Sequence, residues 1–278
     1  MHHPKARGAV GQVALPVRWP LNYANHKKMT TRPLIIGRLR RLSICLLAAW
    51  VVTASATDAR QVFSGDTHSW LRAVGKLQVP GQRYHEGRKS HYVEECSATL
   101  VARAARNHAD IIVTAWHCLE WYSDLSKPIT FTVMDASGEL LQREAYRLKD
   151  GGGMQADWAI LRLRNTIQDE QVSALLIHPQ VADPTQLVTM AGYSGDDGIG
   201  ADGLVLTFDP GCAITGQDRY LGDTDCTAFK GASGGAVVQL SSAGKPWMCG
   251  VISQGNGEGR STFVPVSDFR KALTIYLD

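Results

Sequence analysis

Three residues in this chain have the chemical types and the chain order needed for acyl transfer: a base, His117; a carboxylate that can orient it, Asp157; and a hydroxyl nucleophile, Ser233. His117 lies in Thr114-Ala115-Trp116-His117-Cys118, directly after the apolar run Ile111–Val113, so its imidazole stands at a strand end. Asp157 opens the apolar strand Trp158–Leu163. Drawn against the imidazole, its carboxylate would hold the ring's tautomer and stabilise the imidazolium. Ser233 is the centre of Gly231-Ala232-Ser233-Gly234-Gly235. Glycines on both sides allow a sharp turn and aim the N–H groups of Gly231 and Ser233 into one small space. Two fixed donors there would form an oxyanion hole for a tetrahedral intermediate.

Chain order discriminates among folds that use this chemistry. The Gly-x-Ser-x-Gly elbow of α/β-hydrolases needs Ser, acid, His in that order and a helix after the serine. Here the last histidine is His178, and Ala236-Val237-Val238 reads as a strand. The subtilisin order needs an acid before the histidine, and only Asp110 is close to His117.

The elements that must position these residues read as strands. Val74–Val79, Ala98–Ala102, Ile111–Thr114, Ile129–Met134, Leu140–Leu148 and Trp158–Leu163 are short apolar or alternating runs with turn residues between them. A second set comprises Leu187–Tyr193, Leu204–Phe208, Ala236–Leu240, Met248–Ser253 and Ser261–Val266. Pro80–Lys89 and Gly195–Gly203 are polar and are expected as surface loops. The tail predicts a helix capped by Ser267, with Phe269, Ala272, Leu273 and Tyr276 on one face. A bridge between Cys96 and Cys118 would close a loop of about 20 residues, contribute roughly 3 kcal/mol and stiffen the strand end that carries His117. Cys212, Cys226 and Cys249 leave three possible pairings.

Taken as an ordered set, Thr-Ala-Trp-His-Cys, Asp-Trp-Ala-Ile-Leu and Gly-Ala-Ser-Gly-Gly make the chain resemble the chymotrypsin/trypsin-like serine peptidases, in particular the short bacterial secreted members. The resemblance implies an all-β fold: two six-stranded antiparallel β-barrels (chymotrypsin-like) followed by a C-terminal helix. The first barrel would span residues 57–168 and carry His117 and Asp157; the second, 169–266, would carry Ser233; 267–278 would be the helix. It further implies that Ser253 supports Asp157, that the Ser253-Gln254-Gly255 backbone pairs with an extended polypeptide substrate, and that Cys212 joins Cys226. Cys249 would then be a buried free thiol. No cofactor or metal is expected, because His68, His85, His91, His108 and His178 have no ligand-like spacing.

Two departures from the family pattern matter. Ala232 stands where many animal members carry the aspartate that pairs with a new N-terminal ammonium, so the oxyanion hole should form without trimming at Arg72. Thr227 stands where trypsin-type members carry an aspartate, and Ile252 where glutamate-specific relatives carry a histidine. Neither basic nor acidic side chains are therefore favoured at P1. Thr227, Ser261 and Ser253–Gly255 are expected to line a pocket for an uncharged one, with Lys230 and Arg260 as solvated loop charges. A binding protein on the same scaffold and an esterase using the same three residues are the rival readings.

The 278 residues carry 29 Lys+Arg and 26 Asp+Glu, a formal net charge of +3. Residues 1–56 hold nine basic residues and no acidic one. An apolar run, Leu42–Val52, is too short to span a membrane; with Arg38, Arg40 and Arg41 before it and Ala54-Ser55-Ala56 after it, it has the form of a secretory signal. Cleavage is expected after Ala56, and the distance suits a start at Met29, which would leave 1–28 outside the natural product. Cys45 would leave with the signal. The remaining 222 residues carry 20 basic and 26 acidic side chains, a formal charge of −6. That balance speaks against nucleic acid or anionic lipid as partner. The expectation is an exported monomer, periplasmic or extracellular, with no membrane attachment after the signal is removed.

Overall fold

The computed structural model describes residues 58–277. The signal, its cleavage point, Met29 and Cys45 lie outside the described residues. The elements are β1 (Gln61–Val62), β2 (Val74–His85), β3 (Arg88–Ala102), β4 (His108–Thr114), β5 (Ile129–Met134), β6 (Leu140–Asp150), β7 (Ala159–Gln168), β8 (Leu175–Ile177), β9 (Val188–Gly192), β10 (Thr207–Cys212), β11 (Ile214–Gln217), β12 (Gly222–Thr224), β13 (Ala236–Leu240), β14 (Pro246–Gly255), β15 (Ser261–Pro265) and α1 (Val266–Leu273).

Six of these close a barrel. β2 pairs with β3, β3 with β4, β4 with β7, β7 with β6, β6 with β5, and β5 returns to β2, every pair antiparallel. Alternation sets which side chains fill it. In β5, Ile129, Phe131 and Val133 are buried while Thr130, Thr132 and Met134 face outward and are only half-buried. Leu77, Leu100, Ile112, Phe131 and Leu161 are fully buried in the common interior. Closure leaves no open edge among these six strands.

The second half forms a ring of another kind. β9 pairs with β13, β13 with β14, β14 with β15 and β15 with β12. On its other side β9 pairs with β10, while β12 pairs with β11. Only Ala213 separates β10 from β11, so the ring closes along one bent strand. Cys212 sits at that bend and is joined to Cys226. β8 pairs in parallel with both β3 and β14 and so ties the two barrels together. β1 pairs with β10 and fastens the first described residues to the second barrel.

Two sequence expectations need correction, and two strands lack a sequence signal. Pro80–Lys89 is no loose loop: β2 and β3 continue through it as one hairpin, turning at Glu86 and Gly87, both with positive φ. Its outer arm is polar on both faces because it projects beyond the barrel, which hides the alternation that marks a strand. Ser267 does not cap the C-terminal helix. The helix begins one residue earlier, at Val266, with Pro265 before it and no side-chain cap. Phe269 and Leu273 face the core as expected, and Phe269 stacks on Trp158, the neighbour of Asp157, at 5.3 Å between ring centroids. Finally, β11 and β12 (Ile-Thr-Gly-Gln and Gly-Asp-Thr) carry too few apolar residues to be read as strands.

Candidate active site

His117 follows β4 within a single helical turn, Trp116–Leu119, rather than on the strand itself. Cys118, next to it, is joined to Cys96 on β3, with 6.2 Å between the Cα atoms. That cross-link and the buried Leu119 hold the turn against the barrel. Asp157 stands just before β7 and is wholly buried. Its carboxylate accepts three hydrogen bonds: from the His117 backbone N–H at 2.9 Å, from His117 Nδ1 at 2.8 Å and from Ser253 Oγ at 2.5 Å. With Nδ1 committed as a donor, the neutral ring leaves Nε2 as the acceptor.

Ser253 reaches Asp157 because of a bulge. Register between β14 and β15 shifts from Ile252 to Gln254, so Ser253 has no partner across the sheet and its side chain is turned inward. Its carbonyl accepts a hydrogen bond from Ser233 Oγ at 3.3 Å. Ser233, Ser253, Asp157 and His117 are thus brought together, with the serine hydroxyl resting on the Ser253 carbonyl.

The loop carrying Ser233 is held from both barrels. Gly231 has φ +95° and Gly234 has φ +86°, conformations that side chains other than hydrogen resist. A Cβ on Gly234 would also strike Ser97 O and Thr114 Oγ1. Ser97, fully buried on β3, uses every polar group it has. Its N–H donates to Ser233 O at 2.8 Å and its Oγ donates to Gly231 O at 2.8 Å. The same Oγ accepts from Tyr193 N–H at 2.8 Å, and Ser97 O accepts from Thr114 Oγ1 at 2.7 Å. Among the described residues, no acceptor takes the N–H of Gly231 or of Ser233, so both donors stay available to a ligand.

Ser97 carried no signal in the sequence beyond its place after Cys96. Arg60, Asp58 and Asp196 were equally silent. Arg60 is buried, donates to both carboxylate oxygens of Asp196 at 2.7 and 2.9 Å, and is bonded to Asp58 at 2.6 Å. The Arg60 hydrogen bonds hold both carboxyls below the ordinary aspartate range. Burial works against the Arg60 charge, but the two carboxylates outweigh it and the guanidinium is held more firmly protonated than usual.

The expected pocket residues divide. Gln254 and Gly255 are exposed at the end of β14. Gly255 lies so close to Ala228 that a Cβ on it would overlap the Ala228 carbonyl. Gly257 N–H donates to that carbonyl at 3.1 Å. Ser261 is buried and donates to Cys226 O at 2.9 Å. Thr227 lines a cavity of about 300 Å³ with Asp58, Asp209, Asp225 and Glu258, in whose walls neither Ser233 nor His117 takes part. Asp209 there accepts the Thr227 N–H at 2.6 Å, and burial raises its pKa. Lys230 is solvated as expected, its side chain 88 % exposed and 3.9 Å from Glu94.

The model of the trypsin-like peptidase domain family matches residues 96–245, which contain His117, Asp157 and Ser233. Among solved structures, a Glu endopeptidase in complex with MPD is 19 % identical, with 80 % of this chain and 98 % of that one covered at a TM-score of 0.55. The Rv3671c protease from M. tuberculosis, in its active form, is 16 % identical, with 74 % and 81 % covered at a TM-score of 0.50. At such identities the likeness is one of fold. No curated protein sequence matches the chain.

Proposed function

From the premise that the chain belongs to the trypsin-like peptidase family, we propose that it is a serine endopeptidase working through His117, Asp157 and Ser233. The observation that carries this reading is the buried Asp157 carboxylate. Donors from His117 and Ser253 converge on it beside a glycine-flanked serine. For attack, Ser233 Oγ leaves the Ser253 carbonyl by rotation about its Cα–Cβ bond and gives its hydrogen to His117 Nε2 as it bonds to the substrate carbonyl carbon. Asp157 stabilises the imidazolium, and the Gly231 and Ser233 N–H groups hold the oxyanion. The imidazolium then protonates the leaving amine, and water hydrolyses the acyl-enzyme by the same route in reverse. The Ser253–Gly255 backbone pairs with the extended polypeptide substrate.

With Thr227 and Ile252 uncharged at the two positions that set charged P1 preferences in relatives, the P1 residue is taken to be uncharged. The composition of residues 1–56 and the two disulfides support a reading of export; among the described residues no helix is long and apolar enough to cross a membrane. We take the enzyme to act as a monomer outside the cytoplasm. The test is labelling of the oxidised protein by a fluorophosphonate, followed by cleavage of a peptide library, with Ser233→Ala as control. Labelling and cleavage that both vanish in Ser233→Ala are expected. An unlabelled wild type would leave a binding protein, and turnover of esters but not peptides would leave an esterase.

A further inference from the structure

Ala232 removes the carboxylate that, in many members, would meet a buried cation beneath the oxyanion donors. A buried cation is nevertheless present, from another part of the chain. Arg60 sits two residues into the described segment, is 5 % exposed, and grips Asp196 with two parallel hydrogen bonds. Its guanidinium also lies over the Phe229 ring, 4.3 Å from the centroid. It therefore connects two loops: the one between β9 and β10, which holds Asp196, and the one between β12 and β13, which holds Phe229, Gly231 and Ser233.

Those loops meet at one peptide unit. Gly195 N–H, one residue before Asp196, donates to the Lys230 carbonyl at 2.6 Å. The Lys230 carbonyl and the Gly231 N–H belong to the same planar trans unit and point in opposite directions. Holding the carbonyl toward Gly195 fixes the opposite aim of the Gly231 N–H. The Asp196 carboxylate is braced in turn by Gly200 N–H at 3.1 Å, and the Asp196 carbonyl by Asp202 N–H at 2.8 Å. Phe229 O accepts Ala232 N–H at 3.0 Å, which fixes the far end of the same turn.

We propose that Arg60 is a positioning residue for catalysis: through Asp196 and Phe229 it sets the Lys230–Gly231 peptide so that the Gly231 N–H faces the oxyanion. The inference rests on the oxyanion reading given above. It assigns a role to a segment far in sequence from His117, Asp157 and Ser233. Asp58 holds the other edge of the guanidinium, which leaves Arg60 one orientation. A lysine could not grip Asp58 and Asp196 together in this way, having no planar fork.

The experiment compares wild type with Arg60→Gln, Arg60→Lys and Asp196→Asn, measuring kcat per active site, the sites being counted by exhaustive fluorophosphonate titration. A parallel arm measures the affinity of a peptidyl aldehyde, whose hemiacetal oxygen occupies the oxyanion position, against that of the cleaved product peptide. Arg60→Gln and Asp196→Asn are expected to lower kcat at least tenfold while KM changes less than threefold. Aldehyde affinity should fall in proportion to kcat, product affinity should hold, and Arg60→Lys should fall between. The double variant should be no worse than the weaker single one. If Arg60→Gln does not fold, Asp196→Asn decides. A folded variant with kcat per site within twofold of wild type, or one losing product affinity as much as aldehyde affinity, overturns the proposal. A wild type that cannot be titrated at all overturns the peptidase reading instead.

Discussion

Ser97→Ala tests how the two barrels share one active centre. The substitution removes a single oxygen, but that oxygen satisfies two groups, the Gly231 carbonyl and the Tyr193 N–H, each at 2.8 Å. Ser97 is fully buried, so water cannot replace it. A buried polar group left without a partner costs about 1–3 kcal/mol, so the pair should cost roughly 2–6 kcal/mol. That is a large share of the about 5–15 kcal/mol that holds a typical domain. On the proposed mechanism Gly231 also supplies an oxyanion donor, and losing one such donor outright costs about 10²–10³ in kcat. Loosening rather than deleting it should therefore lower kcat by a factor between about ten and a few hundred. The assay is urea denaturation in a Cys249→Ala background, where no free thiol can shuffle the intact disulfides, alongside kcat and KM on a cleaved peptide. Ser90→Ala is the control, since Ser90 Oγ bonds only the exposed Arg83 carbonyl; it should stay within about 0.5 kcal/mol. A Ser97→Ala protein as stable as that control, with kcat within twofold of wild type, would refute the reasoning.

Other expectations are as direct. Asp157→Asn should leave the fold in place and lower kcat by about 10⁴, because the amide permits the wrong imidazole tautomer; a loss below tenfold on a peptide substrate contradicts the assignment. Gly234→Ala meets both a positive φ and the Ser97 and Thr114 oxygens, so it should cost more than about 3 kcal/mol, read as lost soluble protein or a collapsed Tm. Asp209 has its pKa raised by burial, so ionising it costs stability as pH rises through that value. Asp209→Asn keeps the acceptor for Thr227 and should raise Tm by about 2 °C at pH 7 but not at pH 3; a lower Tm at pH 7 speaks against it. Asp58 and Asp196 behave oppositely: their lowered pKa values give stability that is present above the ordinary value of 3.8 and lost as pH falls below it. Asp196→Asn should show a flatter acid-unfolding profile by circular dichroism.

The parts of this protein that were legible in the sequence are those whose residue types are chemically committed. His117, Asp157 and Ser233 stand out as candidates because base, acid and nucleophile would need special neighbours: a strand end, a buried carboxylate site and glycines at positive φ. Ser253 became legible only through the family resemblance, because a serine in a strand has many uses. Ser97 stayed hidden, since nothing in Cys96-Ser97-Ala98 says that its hydroxyl meets a loop 134 positions later. Arg60 was hidden for the same reason: its partner Asp196 lies 136 positions away. The outer arm of the β2–β3 hairpin escaped because alternation marks only a strand with one wet face. Ser267 is no helix cap because the helix already starts at Val266, directly after the extended Pro265, which places Ser267 inside the first turn.

Cys249 carries a consequence for handling the molecule. Its thiol is buried on β14, and burial pushes its pKa up to about 12. At pH 7 only about one molecule in 10⁵ would hold it as thiolate, the form that attacks disulfides. Folding therefore sequesters a reagent that could rearrange the Cys96–Cys118 and Cys212–Cys226 cross-links. Unfolding releases it beside two intact disulfides, at a pKa near that of any exposed thiol. Heat or urea should then turn a reversible transition into a one-way passage toward shuffled isomers, faster at alkaline pH. Replacing this one sulfur with Cys249→Ala should leave a chain that can find its way back.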